Sequence, residues 1–127
     1  RCCSSAASDV YKRQPKSIGN LLANLQQIYP REQLYLTQST PIYFEATHPQ
    51  ASKGFGVRFL AEELLGIDAN QVMAIGDNFN DLEMLEYAGL GVAMGSAPEA
   101  VKEVSQWVAP HVEKDGVATA INKFLLN

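Results

Sequence analysis

Between Pro15 and Pro30, the apolar residues Ile18, Leu21, Leu22, Leu25 and Ile28 recur at intervals of three and four. That period predicts an amphipathic helix with one buried face. Two β-rich runs follow, "LYLTQST" and "IYFEATH". In the second, Tyr43, Glu45 and Thr47 alternate with Ile42, Phe44 and Ala46, as a half-buried strand requires. The stretch "PQAS" then breaks the pattern, because Pro49 has no N–H to give to a ladder. Residues 49–52 are therefore the expected hinge between an N-terminal unit, 15–48, and a second unit, 53–127.

From Lys53 onward, helical and strand-like patterns alternate. Val57, Leu60, Ala61, Leu64 and Leu65 make a helical stripe, and Gly66 suits its stop. "VMAI" is a short continuous apolar run, as expected of a strand covered on both faces. Leu82, Leu85 and Ala88 mark a second helix, and "LGVAM" a second buried strand. Ser96 and Glu99 have capping-box spacing, which predicts a third helix from there. After the run "WVA", Asp115 is the expected cap of a last helix carrying Val117, Ala120, Ile121, Phe124 and Leu125. The alternation predicts an α/β fold with a parallel sheet and right-handed crossovers. Ligands of such sheets bind at the carboxyl ends of the strands, where Gly76 to Asp81 falls.

Composition narrows the function classes. The 127 residues are 46% apolar and 19% charged, a globular balance with a formal net charge of -4. Apart from the adjacent Lys12 and Arg13, basic residues are scattered singly, so neither nucleic acid nor an anionic membrane surface is an expected partner. No apolar run reaches the roughly 18 residues of a membrane span, and no signal-peptide pattern opens the chain, so a cytoplasmic location is expected. Cys2 and Cys3 are adjacent, which suits neither a disulfide framework nor a zinc site. They lie in "RCCSSAASDVYKRQ", a stretch without periodicity; residues 1–14 read as a spurious or disordered leader.

The chemistry concentrates in "IGDNFNDLE", which directly follows the apolar run. Asp77 can project into the crevice at the strand end, and Asp81, four residues later, could flank the same opening from the same side. Hard oxygen donors without sulfur or nitrogen nearby suit Mg²⁺, which takes one or two carboxylates and completes its octahedron with water and phosphate oxygens. The competing reading makes Asn78 a helix cap, with Asp81 in the first turn complementing the helix dipole and no metal needed. Lys53, at the entrance of its own helix, adds a candidate phosphate partner. His48 and His111 have no ligand spacing and read as solvated loop residues, while Trp107 and Tyr35, Tyr43 and Tyr87 read as packing.

The segments "SKGFGVRFLAEELLGI", "VMAIGDNFNDLEMLEYAGLGVAMGSAPEAVKE" and "KDGVATAI" resemble the C-terminal part of Cof-type (class IIB) phosphatases of the haloacid dehalogenase (HAD) superfamily. Residues 16–48 are similar, more weakly, to the end of the α/β cap domain of such enzymes. The resemblance implies a Rossmann-like core and a Mg²⁺-dependent hydrolase of small phosphorylated metabolites, sugar phosphates among them, acting through an aspartyl-phosphate. It implies that Lys53 holds the phosphate, Asp77 binds the metal with support from Asn78, Asn80 touches the phosphate, and Asp81 orients Lys53 or a metal-bound water. The family's nucleophile comes from an N-terminal D-x-D motif, and none occurs here: Asp9 has no acid two residues away. The expectation is a C-terminal portion whose partner is the N-terminal half of the same protein. Two alternatives remain: a non-catalytic phosphate- or metal-binding fragment, and a receiver-like or nucleotide-binding domain.

Overall fold

The computed structural model describes residues 9–12, 15–40 and 42–126, and the chain divides into two compact units, Arg1–Ser52 and Lys53–Asn127. In the first, β1 (Asp9–Lys12), β2 (Tyr35–Thr40) and β3 (Tyr43–Thr47) form an antiparallel sheet in the order β1-β3-β2, beside the helix α1 (Pro15–Ile28). The strand β1 lies within the stretch read as a leader, where no alternation announces a strand; its backbone pairs with β3 from Asp9 opposite Ala46 to Lys12 opposite Tyr43.

The sheet places Leu36 opposite Ala46 and Gln38 opposite Phe44, with an irregularity between Gln38 and Thr40. Leu36, Phe44 and Ile18 of α1 are buried together, and Leu21, Leu22 and Leu25 pack around them. Spacings of three and four bring those α1 residues onto one face. Each fully buried aliphatic or aromatic side chain contributes roughly 1.5–3 kcal/mol. Ile28 ends the stripe exposed to solvent.

The second unit is a parallel sheet in the order β4-β5-β6, formed by β4 (Met73–Gly76), β5 (Leu90–Ala93) and β6 (Trp107–Val108). Met73 pairs with Leu90, Gly76 with Ala93, and Val92 with Trp107. The strands alternate between two cores, as their period of two requires. Ala74 and Ala93 pack with Leu85 of α3 (Leu82–Tyr87) and Val101 of α4 (Glu99–Glu103). Val92 packs with Met94, Ala109 and Ala120 of α5 (Gly116–Leu125). Phe124 meets Trp107 edge-on at 5.3 Å, and the Lys123 ammonium lies 4.6 Å above the indole.

Helix α2 (Lys53–Phe59) departs from its predicted stripe. The chain runs on as a π-helical turn over Leu60–Leu65, and the wider turn breaks the 3.6-residue phase. Only Ala61 of the five stripe residues is buried; Leu60, Leu64 and Leu65 are exposed. Gly66 stops the helix as predicted, at φ 62 with its N–H bonded to the Ala61 carbonyl. Tyr87 ties this turn to α3 by donating to Glu62 Oε1 at 3.2 Å, and Arg58 Nε reaches both Glu62 oxygens at 3.1 Å.

Two predicted caps do not form. Helix α4 begins behind Pro98 with no side-chain cap, because proline occupies the position that Ser96 would need to hold. Asp115 adopts a left-handed φ of 52, so its carboxylate makes no cap bond; its carbonyl instead accepts from Thr119 N at 2.9 Å and Thr119 Oγ1 at 3.0 Å. The apolar face of α5 is covered only in part: Ala120 is buried, whereas Val117, Ile121 and Leu125 face solvent.

Candidate active site

Strand β4 delivers the chain to the mouth of the parallel sheet at Gly76. Asp77 follows, then Asn78 in an extended conformation, a 3-10 turn over Phe79–Asp81, and α3. The turn holds itself together. Asn78 Oδ1 accepts the Phe79 N–H at 3.0 Å, and Asp81 Oδ2 accepts the N–H groups of Asp77 at 2.9 Å and Asn78 at 3.1 Å. These bonds satisfy donors that a helix start otherwise leaves without partners.

The carboxylate of Asp81 reaches that position because residue 76 has no side chain. A Cβ on Gly76 would stand 2.5 Å from Asp81 Cβ and 2.9 Å from its Cγ. The glycine makes room for a folded-back acid, a requirement of space rather than of backbone conformation.

Asp81 is therefore turned inward, with 2% of its surface exposed, while Asp77 faces solvent. The two acids do not line one opening from the same side: the four-residue spacing spans a 3-10 turn, and the hydrogen bonds to Asp77 N and Asn78 N draw Asp81 beneath it. The other oxygen of Asp81 binds the Lys53 ammonium at 2.5 Å. Lys53 itself is half exposed, so its stem runs along the surface and its head group meets a buried carboxylate. The bond from Lys53 and those from two N–H groups compensate for burying the negative charge of Asp81.

Lys53, Asp77, Asn78 and Asp81 thus meet in one place, joined by direct hydrogen bonds or by sequence; Asn80 sits half-buried in the same turn. Spacing alone did not reveal Gly54, which is buried against Glu83 in the first turn of α3. Its signal was available as a glycine inside a predicted helix, where it costs stability unless it allows a close approach. The histidines lie in turns: His48 Nδ1 accepts the Gln50 N–H at 3.2 Å, and the His111 carbonyl accepts the Lys114 N–H.

For a cation, the donor set at this mouth is one exposed carboxylate, Asp77, beside an acid committed to the protein. Among the described residues no group of three or more His, Cys, Asp or Glu stands together as a metal cage. A lone hard carboxylate fits Mg²⁺, which keeps most of its octahedron for water and phosphate oxygens.

A sequence profile of haloacid dehalogenase-like hydrolases matches residues 6–121. YxeH of Bacillus subtilis is 40% identical over 113 residues, which are 89% of this chain and 41% of YxeH. The 5-amino-6-(5-phospho-D-ribitylamino)uracil phosphatase YcsE of the same organism is 36% identical over 80% of this chain and 41% of its own length. Among solved structures, a sugar phosphatase of HAD subclass IIB superposes with a TM-score of 0.74 at 27% identity, covering 84% of this chain and 40% of that one. The chain spans about two fifths of the length of these relatives. With the profile running through both units and the parallel sheet matching the Rossmann-like core, the chain belongs to the haloacid dehalogenase-like hydrolases, in their Cof-type branch.

Proposed function

We propose that this chain is the C-terminal portion of a cytoplasmic, Mg²⁺-dependent phosphatase of small phosphorylated metabolites, sugar phosphates in the first place. The observation that carries the proposal is the Lys53 ammonium held by the buried carboxylate of Asp81 on the same short turn that presents Asp77 to solvent. Phosphoryl transfer asks a protein chiefly to position groups and to neutralise charge on the moving phosphoryl, and a cation beside an exposed hard carboxylate suits that task.

In this reading, Lys53 binds a non-bridging phosphate oxygen and steadies the aspartyl nucleophile, and Asp81 fixes the direction of Lys53. Asp77 holds Mg²⁺, Asn78 supports that shell by shaping the turn, and Asn80 donates to the phosphate. Bound Mg²⁺ would supply charge neutralisation at the phosphoryl oxygens. The nucleophile and general acid come from sequence outside these 127 residues, since no D-x-D occurs here. The N-terminal unit, 15–48, is the end of a cap domain, and 49–52 its hinge. YcsE and the subclass IIB sugar phosphatase support the substrate class, both being named for phosphate monoesters.

The test is release of inorganic phosphate by the complete enzyme from a panel of phosphorylated metabolites, with Mg²⁺ and after chelation. Turnover lost on chelation and restored by Mg²⁺ is expected. A panel without Mg²⁺-dependent release would sink the proposal. The missing D-x-D favours a second reading for the isolated chain, binding of phosphate or metal without turnover, and measurable hydrolysis by the 127 residues alone would exclude that reading.

A further inference from the structure

Gly54 and Gly56 lie two residues apart in the same short helix, yet their surroundings differ. A Cβ on Gly56 would meet nothing within 4 Å. A Cβ on Gly54 would stand 2.4 Å from Glu83 Cβ, 2.9 Å from the Glu83 carbonyl carbon and 3.1 Å from its oxygen. Ordinary contacts between carbon atoms lie near 3.5–4.0 Å. A methyl group at 54 therefore forces α2 and α3 apart by about 1 Å or more. The obstacle includes backbone, so side-chain rotation cannot relieve it.

The residues flanking this contact are those of the site. Lys53 precedes Gly54, and Asp81 lies two positions before Glu83; across this junction the ammonium meets the buried carboxylate. We propose that Gly54 is a positioning residue: its missing side chain lets α2 seat on α3 closely enough to fix the Lys53 head group at Asp81. The inference rests on the phosphate-holding role given to Lys53 above. With the helices separated, the flexible lysine stem can still reach toward Asp81, but its ammonium no longer stands at the same point relative to Asp77. A displacement of that size at a group that contacts the transferring phosphoryl costs up to about 10²-fold in rate, while the fold can persist.

The test compares Gly54→Ala, Gly56→Ala and Lys53→Met in the complete enzyme, measuring kcat per folded molecule and inhibition by inorganic phosphate. Gly54→Ala is expected to lower kcat by about 10- to 100-fold and to weaken phosphate inhibition, whereas Gly56→Ala keeps both at parent values. Adding Glu83→Gly to Gly54→Ala removes the nearest clash and recovers part of the loss; this double variant is judged in place of the single one if the latter does not fold. The positioning role is overturned if folded Gly54→Ala matches Gly56→Ala in both readouts while Lys53→Met is inactive. Where only the double variant folds, the role is overturned if that variant matches Glu83→Gly alone, since the Glu83 backbone still stands 2.9 Å from the added Cβ. A fully active Lys53→Met instead overturns the phosphate role of Lys53, and the role of Gly54 with it.

Discussion

The two units hold their shapes by different means. In residues 15–47, a helix lies on an antiparallel sheet through interdigitated side chains, Ile18 against Leu36 and Phe44, and its one glycine, Gly19, has open space where a Cβ would stand. In residues 53–127, backbones approach one another directly: Cβ atoms at Gly54, Gly89, Gly91 and Gly116 would each stand within 3 Å of a neighbour's backbone, and one at Gly76 within 3 Å of the Asp81 side chain. A side-chain interface can be repacked with other residues of similar volume, whereas a backbone contact admits no substitute. The candidate chemistry stands in the second kind of region. A site that must hold a lysine, a carboxylate and a turn within a few ångströms is suited to a frame that cannot drift.

The largest effect that probes this contrast is chemical. Asp77→Asn in the complete enzyme should lower phosphatase activity by roughly 10²-fold or more with little change in melting temperature, because Asp77 faces solvent and supports no core. Activity and Mg²⁺ titration of the purified variant check it, and parent-like turnover at parent-like Mg²⁺ would remove Asp77 from the site. Next come paired core truncations. Leu85→Ala and Phe44→Ala, each in the heart of its own cluster, should both cost about 3–4 kcal/mol. Leu85→Ala should disturb the Lys53–Asp81 pair, and Phe44→Ala should leave it intact, as read from NMR shifts of the two side chains. Equal disturbance of the pair by both would erase the distinction between the units.

A smaller effect is expected at Asp81. Asp81→Asn retains an oxygen for the N–H groups of Asp77 and Asn78 but removes the charge facing Lys53. The stability change should be about 1 kcal/mol, since Lys53 is half exposed and can turn to water. Activity should suffer more than stability, and a denaturant titration beside a rate measurement separates the two. The smallest effect lies at Tyr87, whose phenol is held above its ordinary pKa, first by partial burial and then by the Glu62 carboxylate. Its hydrogen bond to Glu62 needs the neutral phenol. The raised pKa therefore adds stability that is fully present below about pH 10, the unfolded value, and is lost as pH rises through the folded value. Tyr87→Phe should flatten that alkaline loss, which thermal melts from pH 8 to 11 would record.

Much of this architecture was legible because periodicity records which faces are buried. The stripe from Ile18 to Leu25, the alternation around Phe44 and the continuous runs of β4 and β5 each carry their burial in the order of residues. The placement of Asp77 was legible too, since a polar residue just past an apolar strand must leave the core. What spacing could not convey was the direction of Asp81. Four residues fix a distance along a helix, but a 3-10 turn and two N–H donors decide whether the acid points out or folds under. The π-helical turn at Leu60–Leu65 and the left-handed Asp115 were equally hidden, because both are backbone choices made by packing rather than by residue type. The exposed faces of α2 and α5 follow from the same cause: a stripe marks a face fit to be covered, and says nothing of whether these 127 residues cover it.

The space beneath Gly76 has a consequence for how the site can vary among descendants. Any base change that replaces glycine with another amino acid adds a Cβ, and at this position that atom collides with the acid folded under the turn. No gradual series of neighbouring residues leads away from glycine here. A lineage can alter the turn only by losing Asp81's inward seat first, and with it the anchor of Lys53. Residue 76 can therefore change only with residue 81 or after it.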